Sequence, residues 1–279
     1  TASGHTLSGT HAGRYTVAQP TGLTADITAK AVSISGLTAA NKTYDGTTTA
    51  SVTGAPSYSG LVDGESFSVT GSVTWAFGDS SVATGKVLSR TGSYDAPSSN
   101  YTLTQPSLSA DITAKGLTIS GATASNRVYD RTSSVAVSGG SLVGVVSSDD
   151  VTLGGSPAGA MANASVGTGK SVTVTGYSLT GGAAANYSLT QPSGLTVNIT
   201  AKEVTVTGAS ATNRAYDGTT TVSVSGGSLS GVISGDTVTL GGSPTGSVAS
   251  AGAANGKAVT VTGYSISGTH ASNYSLTQP

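Results

Sequence analysis

Apolar and polar residues alternate with a period of two along most of the chain. Residues 172–175, 204–207 and 259–262 each read Val-Thr-Val-Thr, and residues 195–200 read Leu-Thr-Val-Asn-Ile-Thr. Alternating β-branched and hydroxyl residues are typical of a strand that buries one side and exposes the other. Gly-Gly pairs, such as residues 139–140, punctuate these segments and tolerate backbone angles that β-branched residues cannot adopt. The pattern predicts short strands joined by tight turns.

The sequence also repeats itself at a spacing near 86 residues. An Asn-Tyr-Thr/Ser-Leu-Thr-Gln-Pro segment begins at Asn100, Asn186 and Asn273, and a second marker, Tyr-Asp-Gly or Tyr-Asp-Arg, keeps register with it. Solenoid repeats span about 20 to 50 residues, whereas units of this length can close a core of their own. The chain is therefore predicted to be a row of small domains.

The phase of the alternation flips where one unit meets the next. Apolar residues occupy even positions up to Ile112 and odd positions from Leu117 onwards. The same flip separates Ile27 from Val32 and Ile199 from Val204. A flip means that the chain changes the face it buries, as expected where it leaves one core and enters another.

These seams divide the chain into a short segment and three repeats. We predict that residues 1–30 are the C-terminal fragment of an upstream repeat. Repeat 1 covers residues 31–115, repeat 2 covers 116–202, and repeat 3 covers 203–279 and lacks its last strand. The expected fold is all-β, a tandem array of small β-sandwich domains of the Ig-like, Greek-key type, extended end to end.

The composition excludes several classes of partner and site. Charged residues make up 9% of the chain and the net charge is -1, so we expect no nucleic-acid partner. The chain has no cysteine, which excludes disulfides and thiolate metal sites and fits a bacterial exterior. No apolar run approaches the roughly 18 residues of a membrane span, so we expect no membrane insertion, and residues 1–30 lack the pattern of a signal peptide.

Several segments together resemble the YDG repeat domain. They are the Lys-Thr-Tyr-Asp-Gly-Thr-Thr segment at Lys42, residues 166–174, the segment at Asn186 and the Ala-Asp-Ile-Thr-Ala-Lys segment at Ala110. YDG domains, with the related MBG domains, occur in tandem in very large bacterial surface adhesins of the filamentous-haemagglutinin type. Arg131 departs from the motif because it replaces the expected glycine.

The resemblance implies an extracellular location on the bacterial cell surface, with export by two-partner secretion. It implies a stalk or spacer that projects an adhesive tip and supports cell adhesion or biofilm formation, and it brings no catalytic residues. The alternative is a binding module for a carbohydrate or a host protein that gains avidity from multiple repeats. Its partners would be host or matrix glycans or proteins.

The motif residues Tyr44, Asp45, Tyr216 and Asp217 are candidate ligand contacts, since tyrosine stacks on sugars and aspartate accepts their hydroxyls. The alternative, which we favour, is a turn in which the aspartate caps the backbone. Trp75, unique to repeat 1, is the remaining candidate for a binding site.

Asn100, Asn186 and Asn273 each open an Asn-x-Ser/Thr sequon and are candidate glycosylation sites. The alternative is a turn-forming asparagine before a strand, and we favour it. The tyrosines that follow, at 101, 187 and 274, are then expected in a core, with the hydroxyl bonded to a backbone group.

We find no sequence support for an enzyme, a cofactor or a metal site. The histidines lack a zinc-ligand pattern, and no nucleophile with a nearby base appears. One further expectation concerns self-association. The segment around residues 22–28 resembles residues 108–113 and 195–200. Residues 1–30 of one molecule are therefore expected to complete repeat 3 of another, head to tail, or repeat 3 of the same molecule if the array can bend that far.

Overall fold

The computed structural model describes residues 3–279, and the chain divides into two compact units, Thr1–Thr113 and Ala114–Pro279. Strands account for 50% of the chain and helix for 3%, which confirms the all-β prediction. Residues 3–29, in which the sequence predicts the final strands of a repeat, contain no strand and one 3₁₀ turn at Ala12–Arg14.

The first unit contains nine strands arranged in three sheets. The sheet orders are β5-β1-β8, β2-β4 and β3-β9-β7-β6. The nine strands are β1 (Lys30–Ser35), β2 (Thr38–Ala39), β3 (Lys42–Thr43), β4 (Val52–Thr53), β5 (Ser57–Ser59), β6 (Gly71–Phe77), β7 (Ala83–Tyr94), β8 (Tyr101–Thr104) and β9 (Ser109–Thr113). The break between β4 and β5 falls at Pro56, which has no amide to donate to a ladder.

The second unit contains thirteen strands. Those of repeat 2 are β10 (Lys115–Ala124), β11 (Arg127–Val128), β12 (Ser134–Val143), β13 (Thr152–Ala160), β14 (Gly167–Ser171), β15 (Thr173–Thr180), β16 (Tyr187–Leu189) and β17 (Thr196–Thr200). Those of repeat 3 are β18 (Lys202–Ala211), β19 (Thr221–Ser230), β20 (Thr239–Val248), β21 (Val259–Ser267) and β22 (Tyr274–Thr277). Short 3₁₀ turns at Ala184–Asn186 and Ala271–Asn273 precede β16 and β22.

Repeats 2 and 3 share the topology of their larger sheet. The orders β15-β13-β12-β10-β16 and β21-β20-β19-β18-β22 correspond strand for strand. In both sheets the strand that comes first in the chain pairs in parallel with the strand that comes last, β10 with β16 and β18 with β22. Repeat 2 adds a second sheet, β11-β17-β14, with β17 at its centre. The repeat 3 residues that the structure describes form no counterpart of this second sheet.

The Gly-Gly pairs lie inside long strands, not between short ones as the sequence suggested, except at residues 181–182. Gly139 and Gly140 fall in the middle of β12 with φ of 74° and 105°. The Tyr177 hydroxyl donates to the Gly139 carbonyl at 2.7 Å, and a Cβ on Gly140 would lie 3.3 Å from that hydroxyl. The glycine pair therefore lets the strand adopt positive φ angles and leaves room for the side chain of Tyr177. A β-branched residue at either position would not.

The core of the second unit runs across the seam between repeats 2 and 3. Val197 and Ile199 of β17 belong to the same buried cluster as Val204 of β18 and Tyr274 of β22. The buried positions change from odd to even between Ile199 and Val204, as the phase flip predicts. Only Ala201 separates the two strands. The seam is therefore continuous packed structure and not a flexible linker.

Candidate functional site

Each Tyr-Asp motif forms a tight turn that its aspartate caps. The Oδ1 atom of Asp45 accepts hydrogen bonds from the amide and the hydroxyl of Thr47, both at 2.9 Å. Equivalent pairs of bonds at 2.8 to 2.9 Å join Asp130 to Thr132 and Asp217 to Thr219. A carboxylate used in this way mimics a backbone acceptor. The favoured alternative, a capped turn, is what the motif forms.

The residue after the aspartate adopts a left-handed backbone in all three copies. Gly46 and Gly218 have φ of 79° and 76°, and Arg131 has φ of 70°. The positive φ persists even where glycine is replaced, although a side chain is strained there. Arg131 is the one residue other than glycine with this backbone among the described residues.

A basic residue three positions before the aspartate completes the turn. The Lys42 ammonium lies 2.7 Å from Asp45 and donates to the carbonyls of Thr47 and Thr49. Arg127 and Arg214 pair with Asp130 and Asp217 in the same way. The Lys42 ammonium and the Thr47 amide lower the pKa of Asp45 to about 2.

This pKa gives the turn a defined dependence on pH. The carboxyl of Asp45 binds a proton less readily in the folded chain than in the unfolded one, whose pKa is about 3.9. Its stabilising contribution is therefore complete above about pH 4 and is lost as the pH falls towards 2. We expect Asp45→Asn to lower the melting temperature of repeat 1 at neutral pH by about 2 to 4 °C, a small effect because the side chain is half exposed.

The check is a series of thermal unfolding curves from pH 6 to pH 2. The melting temperature of Asp45→Asn should fall less steeply below pH 4 than that of the wild type. Asp63→Asn is the matched control, since Asp63 is exposed and makes no hydrogen bond or ion pair within residues 3–279. Parallel curves for Asp45→Asn and the wild type would contradict the role of the carboxylate.

The tyrosine of the motif is buried in two copies and exposed in the third. Tyr44 and Tyr129 are 5% and 3% exposed, whereas Tyr216 is 69% exposed. A buried ring cannot stack on a sugar, so Tyr44 is not available as a ligand contact. The ring of Tyr216 is accessible, and the carboxylates of Asp45 and Asp217 are occupied in their turns.

Tyr129 of repeat 2 packs against Tyr274 of repeat 3. The ring centroids are 5.5 Å apart and the planes meet at 77°, an edge-to-face contact. Such pairs stabilise by about 0.5 to 1.5 kcal/mol beyond the area they bury. The motif of repeat 2 thereby forms part of its contact surface with repeat 3.

Arg131 extends this contact to a buried carboxylate of repeat 3. Its Nε atom lies 3.2 Å from Oδ1 of Asp236, and its guanidinium donates to the Ser234 carbonyl at 2.8 Å. The guanidinium lies against Gly235, where any Cβ would collide with it. The strained residue of the repeat 2 turn thus makes an ion pair across the seam.

The carboxylate of Asp236 is surrounded by groups that favour its charge. The Tyr274 hydroxyl donates to Oδ2 at 2.6 Å, and the His270 ring lies 3.9 Å from Oδ1. Burial opposes ionisation, but the hydroxyls of Tyr274 and Tyr129, with His270 and Arg131 nearby, outweigh it and hold the pKa of Asp236 below its usual value. Burial and the Asp236 charge raise the pKa of Tyr274 to about 12. This site therefore couples two repeats through a charged, hydrogen-bonded cluster.

Comparison with protein-family models gave three successive matches. The model described as YDG domain matches residues 28–108, 113–194 and 200–279. The chain belongs to the YDG domain family. The resemblance drawn from the sequence and the tandem repetition are both confirmed. Curated proteins and solved structures gave no match.

Each YDG domain also holds a tyrosine–acid pair that the sequence did not reveal. The tyrosine of the Asn-Tyr segment donates to an acid 36 or 38 residues earlier and accepts from a backbone amide. The acids are Glu65, Asp149 and Asp236, and the amides belong to Val62, Val146 and Ile233. The backbone partner was predicted. The acid was missed because its identity changes between glutamate and aspartate and its loop carries no motif.

The three sequon asparagines lie in different environments. Asn100 is exposed and Asn186 is half-buried. Asn273 is 5% exposed, and its Oδ1 accepts from the Val166 amide of the preceding YDG domain at 2.9 Å. This burial leaves no space for a glycan on Asn273 and corrects that assignment. It places the asparagine in the junction.

The remaining candidate, Trp75, lies half-buried on β6 opposite Arg90 of β7. It makes no ring contact with another aromatic residue in residues 3–279. The same residues contain no cluster of three metal-ligating side chains. Nor do they include a helix long and apolar enough to cross a membrane.

Proposed function

We propose that this tandem YDG array is the stalk region of a secreted bacterial surface adhesin. It acts as an extracellular spacer that projects an adhesive tip and supports cell-surface attachment or biofilm formation. In this proposal each repeat is a sandwich of the Ig-like, Greek-key type and the three repeats lie end to end. Export by two-partner secretion belongs to the same proposal, through the family resemblance.

The observation that carries the proposal is the junction between repeats 2 and 3. A spacer must resist bending at its joints, and this joint combines a continuous core, an aromatic contact and an ion pair. Interfaces between domains that move freely are smaller and more polar. A junction built from the family motif itself supports a role for the motif in joining repeats.

The alternative, a glycan- or protein-binding module, requires an accessible aromatic platform. The most exposed aromatic side chains are Tyr15 and Tyr216, and neither contacts another ring in the described part of the chain. This distribution favours the spacer. A glycan array probed with the full chain tests it, because saturable binding that Tyr216→Ala or Trp75→Ala abolishes would favour the binding module instead.

Small-angle scattering on the dilute, monomeric chain tests the spacer directly. We expect a maximum dimension of about 100 Å, from roughly 30 to 40 Å for each repeat. The double variant Tyr129→Ala with Arg131→Gly removes the aromatic contact and the ion pair across the seam, and glycine at position 131 suits the positive φ. It should broaden the distribution of dimensions. Arg14→Gly, which removes the same charge from an exposed residue, should not.

A compact wild-type particle, well under about 80 Å, would contradict the end-to-end arrangement. Identical scattering from the double variant and the wild type would show that the junction contacts do not set the stiffness of the joint.

A further inference from the structure

The larger sheet of repeat 2 has two edge strands, at opposite ends of its strand order. In the order β15-β13-β12-β10-β16, β15 pairs only with β13, and β16 pairs only with β10. No ladder joins β15 to β16 within residues 3–279. The outer side of an edge strand is the usual place where a strand of another chain adds to a sheet.

A glutamine side chain bridges these two edges. Gln191 lies two residues after the end of β16, and its side-chain amide binds the backbone of Tyr177 in β15. The Tyr177 amide donates to Oε1 of Gln191 at 3.2 Å, and Nε2 of Gln191 donates to the Tyr177 carbonyl at 2.9 Å. A residue of a neighbouring strand would make the same pair of bonds. Gln191 therefore takes the place of a strand partner on this edge.

The same contact recurs in the other repeats. Gln278 binds the backbone of Tyr264 in β21 at 3.1 and 2.9 Å. Gln105 binds the backbone of Tyr94, the last residue of β7, at 3.1 and 2.7 Å. In repeat 1 the strands linked in this way, β7 and β8, belong to different sheets. The glutamine of the Asn-Tyr segment thus binds the backbone of an earlier tyrosine in all three repeats.

The proline after the glutamine limits pairing at the other edge. Pro106 and Pro192 directly follow the glutamines and have no amide to donate. Proline and charged side chains are two of the usual protections of an edge strand. Residues 173–180, which form β15, contain neither. In repeat 2 the edge at β15 is therefore occupied by Gln191, while Pro192 removes a donor from the chain that follows β16.

A tandem array has a particular need for such protection, because similar edges follow one another along one chain. Pairing between the wrong repeats is a characteristic failure of repeat proteins. Gln191 is 14 residues from Tyr177 but 73 residues from Tyr264 in the next repeat. Loop-closure entropy favours the shorter connection by about tenfold. The glutamine therefore selects the edge of its own repeat.

We propose that the glutamine and proline that end the Asn-Tyr segment keep the edge strands of repeats 1 and 2 closed to strand addition by any other YDG repeat. The excluded partner is another copy of the same edge, either in a second molecule or in a neighbouring repeat. An edge strand without this closure is a long, uncharged template for backbone pairing.

The substitution Gln191→Met tests the proposal, because methionine keeps the length of the side chain and removes both hydrogen bonds. We expect the Tyr177 amide to exchange its hydrogen at least about tenfold faster than in the wild type. After refolding from urea, the mass measured by light scattering should be at least about twofold above that of the wild type at the same concentration.

Gln19→Met is the matched control. Gln19 binds the backbone of His5 through the same two bonds, but residues 3–29 contain no strand and therefore no sheet edge. This variant should match the wild type in both the exchange of the Tyr177 amide and the mass after refolding.

The Tyr129 amide serves as an internal reference, since it donates to the Thr200 carbonyl at 2.9 Å, beside the other sheet of repeat 2. An unchanged exchange rate at Tyr177, or a mass equal to that of the wild type, overturns the proposal. If the Tyr129 amide also exchanges faster, repeat 2 has opened as a whole. The variant Gln105→Met, with the Tyr94 amide as its probe, then decides by the same two criteria in repeat 1. None of these measurements depends on the stiffness of the junction, so the result is independent of the spacer function.

Discussion

Replacing Tyr187 with alanine should lower the free energy of unfolding of repeat 2 by about 3 to 5 kcal/mol, the range for loss of a large buried side chain. Tyr187 is 7% exposed, and its hydroxyl donates to Asp149 at 2.6 Å and accepts from the Val146 amide at 3.0 Å. The substitution creates a cavity and removes the acceptor of the Val146 amide. Chemical denaturation monitored by circular dichroism measures the change.

Two variants separate the ring of Tyr187 from its hydroxyl. Tyr187→Phe keeps the ring and loses both hydrogen bonds, so it should cost about 1 to 3 kcal/mol. Tyr216→Ala removes a tyrosine that is 69% exposed and should change stability by less than about 0.5 kcal/mol. Equal losses for Tyr187→Ala and Tyr216→Ala would show that the Asn-Tyr segment does not anchor the core.

Replacing Gly176 with alanine should cost about 3 kcal/mol or more, because strain and collision add. Gly176 has φ of 92°, and a Cβ there would lie 2.2 Å from the backbone oxygen of Ser156 on the neighbouring strand. Backbone atoms cannot move aside as a flexible side chain can. The same close approach occurs at Gly92 and Gly263 in the other repeats.

Gly116→Ala is the matched control for this substitution. Gly116 lies in β10 with no positive φ and no atom within 4 Å of an added Cβ, so alanine there should be neutral or slightly stabilising. Denaturation curves of the two variants, measured under the same conditions, give the difference in their free energies of unfolding. A Gly176→Ala variant as stable as Gly116→Ala would mean that the strands can separate at this point without cost.

Local patterns in the sequence predicted the features that depend on local chemistry. Period-two alternation identified the buried residues of β17 and β18, and the phase flip located the seam between them. The Asp-Gly dipeptide predicted the capped turn, because the carboxylate bonds to an amide only two residues away. Each of these inferences rests on groups within a few residues of one another.

Features that depend on pairing between distant segments were missed. The Gly-Gly pairs suggested strand ends, yet β12 continues through Gly139. The side chain of Tyr177, 38 residues away, packs against this glycine pair and donates to the Gly139 carbonyl. The Arg131–Asp236 pair joins residues 105 positions apart, in two different repeats. A single sequence carries no signal for such a contact. From the sequence, the arginine that replaces glycine is only a departure from the motif, whereas in the structure it forms an ion pair.

The parallel pairing of β10 with β16 in the larger sheet determines how repeat 2 would respond to tension. A pull along the chain draws the start of β10 and the end of β16 in opposite directions, although the two strands run side by side. The hydrogen bonds between parallel strands lie across the direction of pull, so they share the load and must yield together, not one after another. Repeat 3 has the same arrangement in β18 and β22. Repeats 2 and 3 would therefore resist extension in shear.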